Sequence, residues 1–322
     1  MDRVDGLQQD FEGSCVHVLQ IGLGTNSTFL QDDSRWFSWL SGATTRGPGE
    51  VLKGIGVDPV REWITALAKR CDGVRVQVSL VVGAVGETCG TRILFALPHK
   101  IRRRLHLQME EDGVGEDAWD VVDQALDYLE NMSRIDAPHP DFQFDVNQIL
   151  EQFPSTKIPF SLLEERQVPC ITFKDVFKMN KAGGCQVLMC DAEGADCEIL
   201  RSMVKDCAQP GGPAWPRVVL FETRGIADTT ADQRVEERTV ILLQEVGYVL
   251  VFVGGDSCLL HGPSMVRSID FAVWADKYFR LSCDICSWSA WPSSRNFEIQ
   301  TGKGFSQWTW GKWSCTWCTN DA

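Results

Sequence analysis

The chain has 322 residues, 44% of them hydrophobic and 23% charged, the proportions of a globular protein with ample length for a sizeable core. A net charge of −13 argues against nucleic acid or an anionic membrane as a general partner. The most apolar long stretch, residues 239–255, is broken by Gln244 and Glu245 and is too short and polar to span a bilayer, and the acidic start, Met1-Asp2-Arg3-Val4-Asp5, lacks the apolar core of a signal peptide.

Residues 16–21 form an apolar run of strand character that breaks at Gly22-Leu23-Gly24, and Thr25-Asn26-Ser27-Thr28 follows with helix-capping chemistry. A strand, a glycine turn and a helix start place free N–H groups where a carboxylate or phosphate can bind, although two glycines also serve turn geometry alone. Residues 31–52 hold Trp36, Phe37 and Trp39 in a Gly/Ser-rich setting and read as a short helix and loop with the aromatics packed. Residues 54–58 are a short buried strand ending on Asp58, with Pro59 placed for a helix over 62–70. A carboxylate there either accepts from ribose hydroxyls or caps the helix.

Residues 74–82 read as a central strand running into Gly83 and Ala84. The alternation of strands and helices predicts a doubly wound, mostly parallel sheet. The rhythm then breaks. Residues 91–97 read as an extra strand, and Lys100, Arg102, Arg103 and Arg104 followed by Glu110 and Glu111 as a solvated helix face. Residues 118–132 form an amphipathic helix and 137–159 a Pro-rich loop, so that about 98–165 looks like a lid inserted into the fold. Strand character returns at 170–177 and again at 186–191, a fourth core strand. It ends in Asp191-Ala192-Glu193-Gly194-Ala195-Asp196-Cys197-Glu198, ahead of a helix over 199–207. The helix dipole accounts for Asp196 and Glu198, and Asp191 and Glu193 are left as site residues. A fifth strand, 217–222, ends on Glu222; a helix over 234–246 follows. Two last strands, 248–253 and 268–274, are joined by a loop through Gly254, Gly255 and His261 and must pair antiparallel.

Seven strands, a glycine loop after the first, an acid after the second and an antiparallel finish resemble the Rossmann-like class I fold of S-adenosylmethionine-dependent methyltransferases. Residues 187–196, Val-Leu-Met-Cys-Asp-Ala-Glu-Gly-Ala-Asp, are similar to the Lys-Ile-Asp-Val-Glu-Gly-Ala-Glu signature of the FkbM-type enzymes, with Ile171-Thr172-Phe173-Lys174-Asp175 before it and Phe221-Glu222 and Gly247-Tyr248 after it. Gln20 stands where that family carries an acid, and the family's Asn and Gly appear as Gly24 and Asn26.

The resemblance implies S-adenosylmethionine as cofactor and O-methylation of a small-molecule or glycoside hydroxyl. Gln20, Gly22, Gly24 and Asn26 then form the loop beside the methionine portion, Asp58 binds ribose, and Gly83 and Ala84 lie near adenine. Asp191 and Glu193 orient the acceptor or accept its proton, with His261 as a further general-base candidate and no metal. His17, inside the first strand, is read as structural. Two rivals remain. One is a nicotinamide-dependent oxidoreductase, which a missing third glycine and the position of Asp58, 34 residues after Gly24, disfavour. The other is a binding protein that keeps the fold without the chemistry.

The domain is expected to end near residue 280. Beyond it, Cys283-x-x-Cys286 and Cys315-x-x-Cys318 stand 28 residues apart around Trp288, Trp291, Trp308 and Trp310. So long and irregular a gap favours an unstructured or loosely docked tail without structural zinc. Thirteen cysteines, an odd count, read as free thiols in a reducing, cytoplasmic setting.

Overall fold

The computed structural model describes residues 10–24, 51–71, 76–98, 100–111, 113, 119–120, 122–123, 126, 133–136, 164–222, 235–253 and 256–261. Asn26, the predicted strand at 268–274 and the Cys/Trp-rich tail lie outside the described residues.

Strand β1 (Cys15–Ile21) is almost wholly buried, as its unbroken apolar run requires of a central strand. Its neighbour β2 (Leu52–Asp58) leads into helix α1 (Arg61–Cys71), and β3 (Val76–Val82) follows. A two-residue strand β4 (Ala84–Val85), β5 (Gly90–Ala96), helix α2 (Ile101–Glu111), β6 (Arg134–Ile135) and β7 (Glu164–Ile171) come next. Helix α3 (Phe173–Met179) starts on a capping box between Thr172 and Asp175. Then come β8 (Gly184–Cys190), α4 (Asp196–Cys207), β9 (Val218–Glu222), α5 (Val235–Glu245), β10 (Tyr248–Val253) and β11 (Asp256–His261).

The main sheet has the order β10-β11-β9-β8-β1-β2-β3. Five neighbouring strands, β3, β2, β1, β8 and β9, run parallel, and β11 enters antiparallel between β9 and β10. The chain winds outward from β1 through β2 to β3, then returns to the other side of β1 as β8. The carboxyl ends of β1 and β8 therefore flank the topological switch point, where ligands bind in such sheets. Leu19, Leu188, Val219 and Phe221 from the sheet pack with Leu200 and Met203 of α4 in one core.

Two features differ from the sequence reading. The strand that closes the sheet is Asp256–His261, which was expected to be loop. In the sequence Gly254-Gly255 is a two-residue hairpin signal, and a strand starting at Asp256 that pairs antiparallel with β10 agrees with it. The extra strand at 90–96 is not isolated: it pairs antiparallel with β7 and β6, and β4 completes a second, four-stranded sheet, β4-β7-β5-β6. The expected insertion thus contributes β6 and the first residues of β7. The second sheet packs on α1 through Val60, Ala84, Leu94, Val168 and Cys170, with Trp63 and Ile135 against them. No helix among the described residues is long and apolar enough to cross a membrane.

Candidate functional site

At the switch point the turn after β1 presses directly on the end of β8. Gly22 has φ +79°, and a Cβ there would stand 1.7 Å from the Asp191 carbonyl oxygen, so both the conformation and the space demand glycine. Two backbone bonds fix the contact. Gly22 N–H donates to the Val57 carbonyl at 3.0 Å, and Asp191 N–H donates to the Ile21 carbonyl at 3.0 Å. Gln20, buried in β1, donates its side-chain amide to the Gly22 carbonyl at 3.3 Å. The position where an acid was expected therefore holds a neutral group engaged with its own turn.

Of the two roles that its sequence position left open, Asp58 takes the helix cap, and it holds the glycine turn as well. It is 1% exposed at the end of β2. One carboxylate oxygen accepts from Leu23 N–H at 2.8 Å and Gly24 N–H at 3.3 Å, and the other from Val60 N–H at 2.7 Å. It pins the glycine turn from β1 onto the start of α1. Burial pushes its carboxyl up to about 7, against three N–H donors that favour the ionised form.

After β8, Glu193 takes φ +48° and Gly194 φ +95°. A glutamate in the left-handed region costs on the order of 1–3 kcal/mol, and such residues gather at functional turns. The turn is held from three sides. Asp196, 2% exposed, reaches back to Ala192 N–H at 3.3 Å. Burial, with Asp191 adding to it, raises the Asp196 carboxyl to about 7. Glu198 grips Arg92 of β5 through two bonds, of 2.8 and 3.0 Å, and accepts from Glu87 N–H at 3.2 Å. From the second sheet, the Arg134 guanidinium lies on Gly194. Asp196 and Glu198 are thus braces for the turn and the second sheet, more than ornaments of a helix dipole.

These turns enclose a cavity of about 320 Å³. Gln20, Gly22, Gly24, Asp58, Gly83, Ala84, Asp191 and Glu193, all singled out in the sequence, line it together. Its charged described lining residues are three carboxylates, Asp58, Asp191 and Glu193, without a lysine or arginine among them. His261 is not brought there. It ends β11 opposite Tyr248, the first residue of β10, while Asp256 at the other end of β11 pairs with Glu222. An antiparallel strand carries its last residue to the amino ends of its neighbours, so His261 sits at the edge of the sheet away from the cavity and is withdrawn as a general base. His17 accepts from Lys53 N–H at 2.9 Å inside the sheet, a structural role as expected.

The sequence reading missed Trp63, Ser133 and Ile135 of the lining and Arg134 beside them. Trp63 lies five positions past Asp58 on α1, and a strand-end acid followed by an aromatic in the first helical turn was the available signal. Ser133 and Ile135 had none: they stand in the sequence between an expected amphipathic helix and a Pro-rich loop, and the short strand β6 that carries Ile135 is placed by its pairing with β5.

No family model matches the chain, and no curated protein matches it. Among solved structures, the fibrillarin of Aeropyrum pernix, crystallised with natively bound S-adenosyl-L-methionine, is similar over 77% of this chain and 66% of its own, at 12% identity and a TM-score of 0.29. At that score the likeness assigns this chain neither a cofactor nor a reaction.

Proposed function

We propose that the chain is an S-adenosylmethionine-dependent methyltransferase acting on a hydroxyl group of a small molecule or glycoside. The observation that carries this reading is the charge of the cavity: at a switch point with a glycine turn, its described lining offers three carboxylates and no basic side chain. Such a lining suits a nucleoside that carries an ammonium and a sulfonium. It opposes a pyrophosphate, which argues against a nicotinamide cofactor.

The cofactor supplies an electrophilic methyl group on a sulfonium. The chain's part is to bind, align and take up a proton. Gly22 and Gly24 leave room for the methionine portion against the backbone. Asp58 already accepts three backbone N–H groups, and a carboxylate has about four lone-pair positions, so about one remains for a ribose hydroxyl. Gly83, Ala84 and Trp63 form the wall assigned to adenine. Glu193, held in its strained turn, takes the acceptor's proton, and Asp191 orients the acceptor. Ser133 and Ile135 come from the inserted segment, which fits a lid over the bound cofactor. The FkbM-type signature at 187–196 supports the hydroxyl acceptor.

Calorimetric titration with S-adenosylmethionine, S-adenosylhomocysteine and NAD tests the reading. Saturable heat with the first two and none with NAD is expected; the absence of binding by either adenosyl compound overturns it. Gln20, neutral and engaged with Gly22, favours a second reading, a binding protein without turnover. Transfer of labelled methyl from the cofactor to a pool of hydroxyl acceptors separates the two.

A further inference from the structure

Arg92 is not part of the cavity's lining, yet its partners stand directly behind three stretches of it. Ile199, Ile135 and Val85 line the cavity, and the residues next to them in the chain are Glu198, Asp136 and Gly86. The Arg92 guanidinium donates to both Glu198 oxygens, at 2.8 and 3.0 Å, and through Nε to Asp136 Oδ2. At Gly86 a Cβ would stand 2.7 Å from Glu198 Oε1 and 3.4 Å from Arg92 Nη1, so the ion pair packs on that glycine. The following Glu87 N–H donates to Glu198 at 3.2 Å.

Asp136 is held in an uncommon shape, with φ +64°. Its N–H donates to the Ile93 carbonyl at 2.7 Å, and its carboxylate accepts from Ile93 N–H at 3.4 Å as well as from Arg92. A left-handed residue other than glycine persists only where its surroundings over-determine it, and here β5 supplies those surroundings. The carboxylates of Asp136 and Glu198 repel each other, and Arg92 is what brings them to one place. A guanidinium carries its donors in a rigid plane, so two carboxylates bound to one fork are fixed in position relative to each other.

We propose that Arg92 is a positioning residue for the ligand of this cavity: it holds three stretches of the wall in register from behind, so that affinity for an adenosyl compound depends on a side chain outside the binding surface. The adenosyl compound rests on the methyltransferase reading; the bracing of the wall does not.

The test is a double-mutant cycle read on the binding of S-adenosylhomocysteine to the full chain by calorimetry. The pair is Glu198→Ala and Asp136→Asn, the latter because asparagine tolerates a positive φ. Each is expected to weaken binding at least about threefold, and the double variant to lose at least about threefold less than the product of the two, because both remove the same brace. That coupling should vanish in an Arg92→Ala background. Arg92→Lys, which keeps the charge and loses the fork, should remove it too, and it decides the matter if Arg92→Ala does not fold. A merely structural role would lower stability in urea and leave the two losses to multiply. That result overturns the proposal, and so does binding by both Arg92 variants within about twofold of the native chain. A second measurement needs no ligand. Hydrogen exchange at the Asp136 amide, which is bonded to Ile93 of β5, should quicken in Glu198→Ala by at least about fivefold more than exchange in β1, although the change is made on another element. If the native chain does not bind S-adenosylhomocysteine, the methyltransferase reading falls and this exchange judges the brace: a faster Asp136 amide upholds it, and an unchanged one overturns it.

Discussion

Gly22 and Asp58 hold the site from opposite sides of one turn, and each makes a sharp expectation. Alanine at 22 would meet the Asp191 carbonyl and sit at an unfavourable φ. Gly22→Ala is expected to cost about 2 kcal/mol or more, because the neighbour it meets is backbone and cannot swing aside. Urea unfolding checks the stability, and loss of S-adenosylmethionine binding in the same variant checks the site. Asp58→Asn keeps the shape but turns one acceptor oxygen into a donor, so that an amide NH2 faces a backbone N–H, donor against donor. A loss of about 1–3 kcal/mol is expected. An unchanged midpoint in urea would show that the three N–H bonds to Asp58 are not what holds the turn.

Among the elements, the second sheet is the part that the sequence concealed. The parallel strands announced themselves because each is a buried apolar run ending on a glycine or an acid, a local signal. The second sheet is built from two-residue strands, Ala84–Val85 and Arg134–Ile135, and from pairings across long stretches of chain, with Leu94 opposite Ile135 and Cys170 opposite Gly90. No periodicity shows in two residues. Its tie to the main fold is also long-range. Arg92 meets Glu198 in a bidentate pair whose side chains are 27% and 24% exposed, and Arg92 also reaches Asp136. Being partly shielded and forked, this pair should show a coupling of about 1–2 kcal/mol in a double-mutant cycle of Arg92→Ala and Glu198→Ala. Additive losses would mean that the second sheet is held by its apolar contacts with α1 alone. The same contrast explains the candidate site. Residues on strand ends were readable from position, whereas Ile135 reaches the cavity through a strand pairing that the sequence does not display.

For the whole molecule, the buried carboxyls set opposite pH trends for stability and for binding. Asp58 and Asp196 rise from near 3.8 to about 7 in the folded protein. Between those values the folded chain holds protons that the unfolded chain has released, so their contribution is full below about pH 4 and is lost as pH rises through 7. Asp175 and Glu198 are lowered; desolvation opposes them, but hydrogen bonds from Cys89 and Thr172 on the one and from Arg92 on the other prevail. Their contribution is present above the ordinary carboxylate range and is lost as pH falls into it. Stability in urea should therefore peak near about pH 4–5 and decline toward neutrality, a decline that the net charge of −13 deepens. Asp196→Asn, which can still accept from Ala192 N–H, should flatten it. Affinity for S-adenosylmethionine should run the other way. A cation is held best by ionised carboxylates, so binding should tighten from about pH 6 to about pH 8 as Asp58 loses its proton, and should release protons below pH 7. Calorimetry in two buffers of different ionisation enthalpy reads that release directly. If the affinity of Asp58→Asn kept the native pH dependence, the titrating carboxylate in the cavity would not be Asp58.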